Sequence, residues 1–111
     1  MNGKIFQLVL IAAAVLVLIQ PRAARAATTG SSLYQANCAT CHGPDGSGSV
    51  VGKSLHVLDL RSAKVQSKSN AALARFIGQG SGAMPPFQYR FDHQQILDVV
   101  RYVRSFAKLN P

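Results

Sequence analysis

From Ile5 to Ile19 the chain is a nearly unbroken apolar run, IFQLVLIAAAVLVLI, with Lys4 before it and Gln20 and Pro21 after it. Its fifteen residues fall short of the 18 or more expected of a membrane-spanning helix. Ala24-Arg25-Ala26 then places small residues at the two positions that a signal peptidase reads. Residues 1–26 are expected to be a signal peptide cut between Ala26 and Ala27, and residues 27–111 the mature domain, without a permanent membrane span. There is no twin-arginine pair, so export should proceed unfolded, and any cofactor must be inserted outside the cytoplasm.

Beyond Ala27 the apolar positions recur with the period of a helix. Leu33, Tyr34 and Cys38 share a face that Ser31 or Ser32 could cap. Gly43 to Gly52, with four glycines and one proline, reads as a loop. Asp59 to Gln66 allows a helical turn. A third helix follows, capped by Ser69 or Asn70, striped by Leu73, Phe76 and Ile77, and stopped by Gly78. Gly80 to Phe87, GSGAMPPF, is a second irregular loop. Asp92 with Gln95 forms a capping box for the last helix. There Ile96, Val99, Val100 and Val103 face inward, and Asp98, Arg101 and Arg104 outward. The pattern predicts an all-α fold with two glycine- and proline-rich loops, and no strand alternation or repeat.

Removing 26 of the 111 residues leaves 85, one domain with a thin apolar core. A bridge between the chain's two cysteines, three positions apart, would close too small a loop to staple such a domain. Something else must fill its middle. From Ala27 onward nine Lys or Arg face four Asp, a net charge of +5, which favours acidic protein partners or an anionic surface. No run of adjacent basic residues occurs, and the aromatics do not interleave with basic residues, which argues against nucleic acid.

The stretch NCATCHGPDGSGS, Asn37 to Ser49, holds both cysteines and a histidine directly after the second. A zinc site would need a second Cys or His pair, and only His56 and His93 remain, unpaired. A thioredoxin-like pair belongs beside a βαβ pattern, which is missing here. A bare disulfide explains neither His42 nor the glycine loop. Haem attachment uses every group: in C-x-x-C-H the thiols of Cys38 and Cys41 add to the two vinyls, and His42 lies beneath the ring with Nε2 toward the iron. Met84, the one methionine beyond the leader, sits in a loop stiffened by Pro85 and Pro86. Its soft thioether suits the opposite axial position. His56 is the rival ligand there, and His93 reads as a surface residue.

LYQANCATCHGPDGSG, the GAMPPF loop and the terminal ILDVVRYVRS resemble the small monohaem class I cytochromes c of bacteria, and the likeness spans residues 30 to 108. The resemblance implies the cytochrome c fold: short helices wrapped around one covalently attached haem c, the first and last crossing near-perpendicularly. The family's contact between these helices falls on Gly30, Tyr34 and Tyr102. Many members carry Gly-Pro after the haem motif, whose carbonyl accepts from the proximal histidine; this chain has Gly52-Lys53.

With both axial positions filled, the iron offers no substrate site. The expected function is a one-electron carrier of the periplasm, monomeric and not an enzyme. Lys53, Lys64, Lys68 and Arg75 are candidates for steering redox partners with acidic docking surfaces. The alternatives are a haem subunit of a larger dehydrogenase or oxidase, and a small-ligand-binding haem protein in which Met84 leaves. Tyr89 and Arg90 are the candidates to line such a distal site.

Overall fold

The computed structural model describes residues 2–18 and 21–109, with all of their side chains except those of residues 13–18 and 24–28. The helices are α1 (Gly3–Leu18), α2 (Arg22–Asn37), α3 (Ala39–His42), α4 (Val50–Ser54), α5 (Ala63–Gln66), α6 (Asn70–Gln79) and α7 (His93–Ser105), followed by a 3₁₀ turn, Phe106–Leu109. Among the described residues the only β pairing is a single bridge between Ser81 and Met84, so the all-helical expectation holds.

Helix α1 carries the N-terminal apolar run, whose last residue, Ile19, lies outside the described residues together with Gln20. Ile5, Phe6 and Leu8 through Ile11 stand 52–65% exposed, so they take no part in the core. No helix among the described residues is long and apolar enough to cross a membrane.

Helix α2 corrects the first helix boundary. It starts after Pro21 and runs through Ser31 and Ser32, neither of which caps it. The RAARAA stretch explains this, because alanine and arginine are strong helix formers that propagate the helix upstream. Helix α4 is likewise unforeseen: Ser49 accepts from the Gly52 N–H and starts a helix inside the expected loop. Helix α6 is capped by Ser69, as expected, but passes through Gly78 and ends at Gly80, whose φ of +72° only glycine adopts freely. The Asp92–Gln95 capping box of α7 forms as read.

The core sits where α2 crosses α7. Tyr34, Phe87, Phe91, Ile96, Val99, Val103 and Phe106 form the main cluster, and Val65, Leu73 and Val100 a second one beneath α6. Tyr34, Tyr102 and Phe106 meet as three ring pairs with centroids 5.0–5.2 Å apart, each such pair contributing roughly 0.5–1.5 kcal/mol beyond its buried area. Gly30 lets the helices approach: a Cβ there would overlap the Asp98 carbonyl.

Two of the three outward charges on α7 are not outward. Asp98 is buried at 5% exposure, where Gln94 and Arg101 donate to its carboxylate. Arg104 lies across the α5–α6 connection and donates to the Gln66 carbonyl (2.8 Å), the Lys68 carbonyl and Asn70 Oδ1 (2.9 Å). A burial stripe 100° wide admits a flanking polar residue when partners satisfy it. Only Arg101 keeps its side chain half exposed.

Gly30→Ala should destabilise the protein by about 1–3 kcal/mol through overpacking of the α2–α7 crossing. For a domain of this size that lowers the thermal midpoint by roughly 4–8 °C per kcal/mol. An unchanged midpoint in calorimetry would show that the crossing does not depend on this glycine.

Candidate cofactor site

Helix α3 is a single turn carrying Thr40, Cys41 and His42, joined to α2 at Cys38, which terminates one helix and begins the next. The Cys38 N–H donates to the Tyr34 carbonyl (2.8 Å) and the His42 N–H to the Cys38 carbonyl (2.9 Å), so the C-x-x-C-H segment is an almost continuous extension of α2. The glycine-rich stretch after it folds back over α3. The Gly48 N–H reaches the His42 carbonyl (2.7 Å), the Ser49 N–H the Cys41 carbonyl (3.0 Å), and the Ser49 hydroxyl the Thr40 carbonyl (2.6 Å). The buried Tyr34 hydroxyl donates to the Gly43 carbonyl (2.7 Å), and the Leu60 N–H to the Gly46 carbonyl (2.9 Å). Asp45 accepts from the hydroxyl and N–H of Ser47, which holds its carboxyl below the usual range.

This scaffold walls an apolar cavity of about 290 Å³, close to the lower end of small-molecule sites. Cys38, His42 and Met84 all line it, and so does His56. The structure therefore brings three of the four expected site residues to one cavity. Cys41 does not line the cavity; its carbonyl packs against Gly52 of α4. Leu55, Leu58 and Phe76 on the cavity wall are 42–48% exposed, a surface that an apolar group seated in the cavity would cover. Both cysteines are free thiols, and no group of three or more His, Cys, Asp or Glu is gathered among the described residues.

The donor chemistry fits a haem. Burial lowers the His42 pKa and keeps the imidazole neutral, the form that ligates a metal. Its Nδ1 is buried with no hydrogen-bond partner. The carbonyls after the Gly52-Lys53 departure are already engaged: that of Gly52 accepts from Leu55 and Val57, and that of Lys53 from His56. Burial also pushes the Cys38 thiol up to about 11, so an uncharged sulfur faces the cavity.

Met84 is held by a tight turn. The Ser81 N–H donates to the Met84 carbonyl (3.0 Å) and the Met84 N–H to the Ser81 carbonyl (2.9 Å), closing a two-residue reversal at Gly82-Ala83. Gly80 packs beneath it, where a Cβ would come within 2.8 Å of Pro86 N. On the far side the Phe87 N–H donates to the Ile77 carbonyl and the Gln88 N–H to the Gly78 carbonyl, both 3.1 Å. The glycine-rich approach to Met84 is thus laced to the end of α6. Tyr89 and Arg90 do not line the cavity. Tyr89 is 83% exposed, and Arg90 lies over the Phe87 ring and donates to Asn37.

A family model described as "Cytochrome C oxidase, cbb3-type, subunit III" matches residues 25–103. Cytochrome c6 of Nostoc sp. (strain PCC 7120) is 34% identical over 106 residues, 94% of each chain. Cytochrome c6 of Limnospira maxima is 37% identical over 81 residues, 71% of this chain and 91% of the relative. Among solved structures, the KustC0563 c-type cytochrome superposes with a TM-score of 0.66 at 30% identity, over 69% of this chain and 95% of that one. The chain is a small class I cytochrome c. It is an electron carrier with a covalently bound haem c, not an enzyme, and it works with redox partners.

Of the four candidate residues read from the sequence, Cys38, His42 and Met84 line the cavity and Cys41 does not, and the groups that position them were missed. Ser49 was visible as a helix cap ahead of Val50, yet the surrounding glycines masked it. The roles of Tyr34 OH and Gly80 left no local signal, because both act on backbone atoms, which no side-chain pattern encodes. Lys53, grouped with the steering cations, also lies close enough to Asp59 to help hold that carboxyl low, after Arg61.

Gly80→Ala should displace the Met84 turn and cost about 1–3 kcal/mol by overpacking, in addition to the roughly 1–3 kcal/mol of an alanine held at a positive φ that glycine alone adopts freely. Gly82→Ala, at φ +56° but facing open space, should cost only the latter. Denaturant unfolding and the Met84 methyl resonance check both; equal losses in the two variants would remove the packing role of Gly80.

Proposed function

We propose that Cys38 and Cys41 carry the haem through thioether bonds, that His42 and Met84 are its axial ligands, and that the mature protein is a monomeric carrier of the periplasm. One observation carries the ligand reading: the neutral His42 imidazole and the Met84 sulfur line one apolar cavity beside Cys38. The bound haem supplies one-electron exchange between its ferrous and ferric states. The chain's residues do the rest. The Met84 turn, closed by two hydrogen bonds, holds the thioether in place. The apolar wall of Leu55, Leu58, Val99 and Val103 excludes water, and a buried low-polarity site raises the potential. The Nδ1 of His42, without an acceptor, leaves the imidazole a weaker donor than one backed by a carbonyl, which acts in the same direction.

Export is supported by α1, whose described apolar side chains are exposed and which precedes the family match at residue 25. Cleavage after Ala26 leaves α2 starting at Ala27, upstream of its Gly30 contact. Acidic partners are supported by the charge of residues 27–111, nine cations against four aspartates. The name of the matching family model favours a second reading, a subunit of an oxidase; co-purification with a membrane complex distinguishes it from a free carrier.

Mass spectrometry of the secreted protein should give a chain beginning at Ala27 plus one haem, and C38A/C41A should lose the haem mass. An intact Met1 terminus, or haem retained through denaturation in the double variant, would overturn the corresponding assignment.

Ferric protein should show the weak far-red charge-transfer band of a methionine sulfur on haem iron. Met84→Ala should abolish it, lower the reduction potential and let carbon monoxide bind the ferrous form. Wild-type protein that lacks the band and binds carbon monoxide would turn the reading toward ligand sensing, with His56→Ala the next variant to compare.

A further inference from the structure

Gln66 and Arg104 form a polar junction behind the cofactor cavity, although neither side chain lines it. The Arg104 guanidinium spans three acceptors. Its Nε donates to Asn70 Oδ1 (2.9 Å), Nη1 to the Gln66 carbonyl (2.8 Å) and Nη2 to the Lys68 carbonyl. None of the three is a carboxylate. Gln66 Nε2 in turn donates to two more carbonyls, those of Leu60 (2.7 Å) and Val103 (3.1 Å). Leu60, Lys68 and Val103 all line the cavity, and so does Val65, the residue before Gln66.

These wall residues belong to separate pieces of chain: the loop before α5, α5 with its link to α6, and α7. Among the described residues no backbone hydrogen bond joins α7 to residues 59–70. The polar ties between them all come from Gln66 and Arg104. The apolar contact they reinforce is small, since Val65, Leu73 and Val100 are its only buried members.

A wall that loosens here admits water, and a wetter haem site favours the ferric state. Lys68 acts in the same direction. Its Nζ lies 5.5 Å from the centroid of the Phe76 ring, another wall residue. A cation kept at the wall favours the ferrous state, which carries one positive charge fewer.

We propose that Gln66 and Arg104 are positioning residues that clamp the cavity wall closed and thereby raise the reduction potential of the haem seated there. The arginine fork is essential to this. A lysine at 104 would keep the charge, but its compact ammonium does not span three acceptors.

The test compares holoprotein variants by potentiometric titration and by amide hydrogen exchange. Gln66→Ala changes no charge, and Arg104→Lys preserves it. Each should lower the reduction potential and speed exchange of the Leu60 and Lys68 amides about tenfold, from the loss of one or two hydrogen bonds. Gln95→Ala, which removes half of the α7 capping box and lies off the cavity wall, should lower the thermal midpoint but not the potential. A wild-type potential in Gln66→Ala or Arg104→Lys, or an equal fall in Gln95→Ala, overturns the clamp. So does a fall that comes with loss of the far-red methionine band, because the effect then lies at the ligand. A haem in this cavity is all that the clamp requires of the reading above, so absence of the band from wild type overturns the ligand reading alone.

Discussion

A chain of this size leaves a hole that its own side chains do not fill. The α2–α7 crossing and the second cluster under α6 enclose the cavity from two sides, and part of its apolar wall remains exposed to solvent. Burial is the dominant favourable term in folding, and small domains have little of it to spare. The haem is therefore as much core as cofactor. The single-turn α3, which carries the C-x-x-C-H residues, depends on backbone hydrogen bonds from the folded-back loop more than on packing. That explains why a stretch so rich in glycine is ordered by its partners.

The constraint also fixes which features the sequence displays. The C-x-x-C-H motif, the lone Met84 and the α7 stripe are local signals, since covalent spacing and helical period are set within a few residues. Gly30 was legible only through resemblance. Its packing partner, the Asp98 carbonyl, lies 68 positions away and is a backbone atom, which no side-chain pattern encodes. Likewise Ser49 opens a helix because α3 offers carbonyls to it, a tertiary effect that overrides the turn propensity of its neighbours. The inward turn of Asp98 and Arg104 has the same origin. Periodicity assigns faces, while satisfaction by distant partners decides which polar residues may occupy them.

The departure at Lys53 shows how a local change reaches the site. The Lys53 N–H donates to the Ser49 carbonyl (2.8 Å), a bond that proline could not make. It is one of the bonds that build α4, and α4 in turn presses Gly52 against Cys41. The chain therefore holds the C-x-x-C-H turn with helix α4, and the Nδ1 of His42 stays buried without an acceptor.

The charges follow a complementary division. Every aspartate has an internal role, as cap, turn or ion pair, and the charges of Asp59 and Asp98 are offset by Arg61 and Arg101. The cations from Arg61 to Arg90 have no carboxylate among them along the chain, apart from the Asp59 that holds Arg61. An unbalanced field orients the molecule before contact, because steering depends on the asymmetry of charge more than on its total. Screening cuts this off beyond about 8 Å at physiological ionic strength, so the cations that matter for docking are those nearest the contact itself. By that criterion Lys68, which lines the cavity wall, counts for more than cations farther from it, although all carry the same charge.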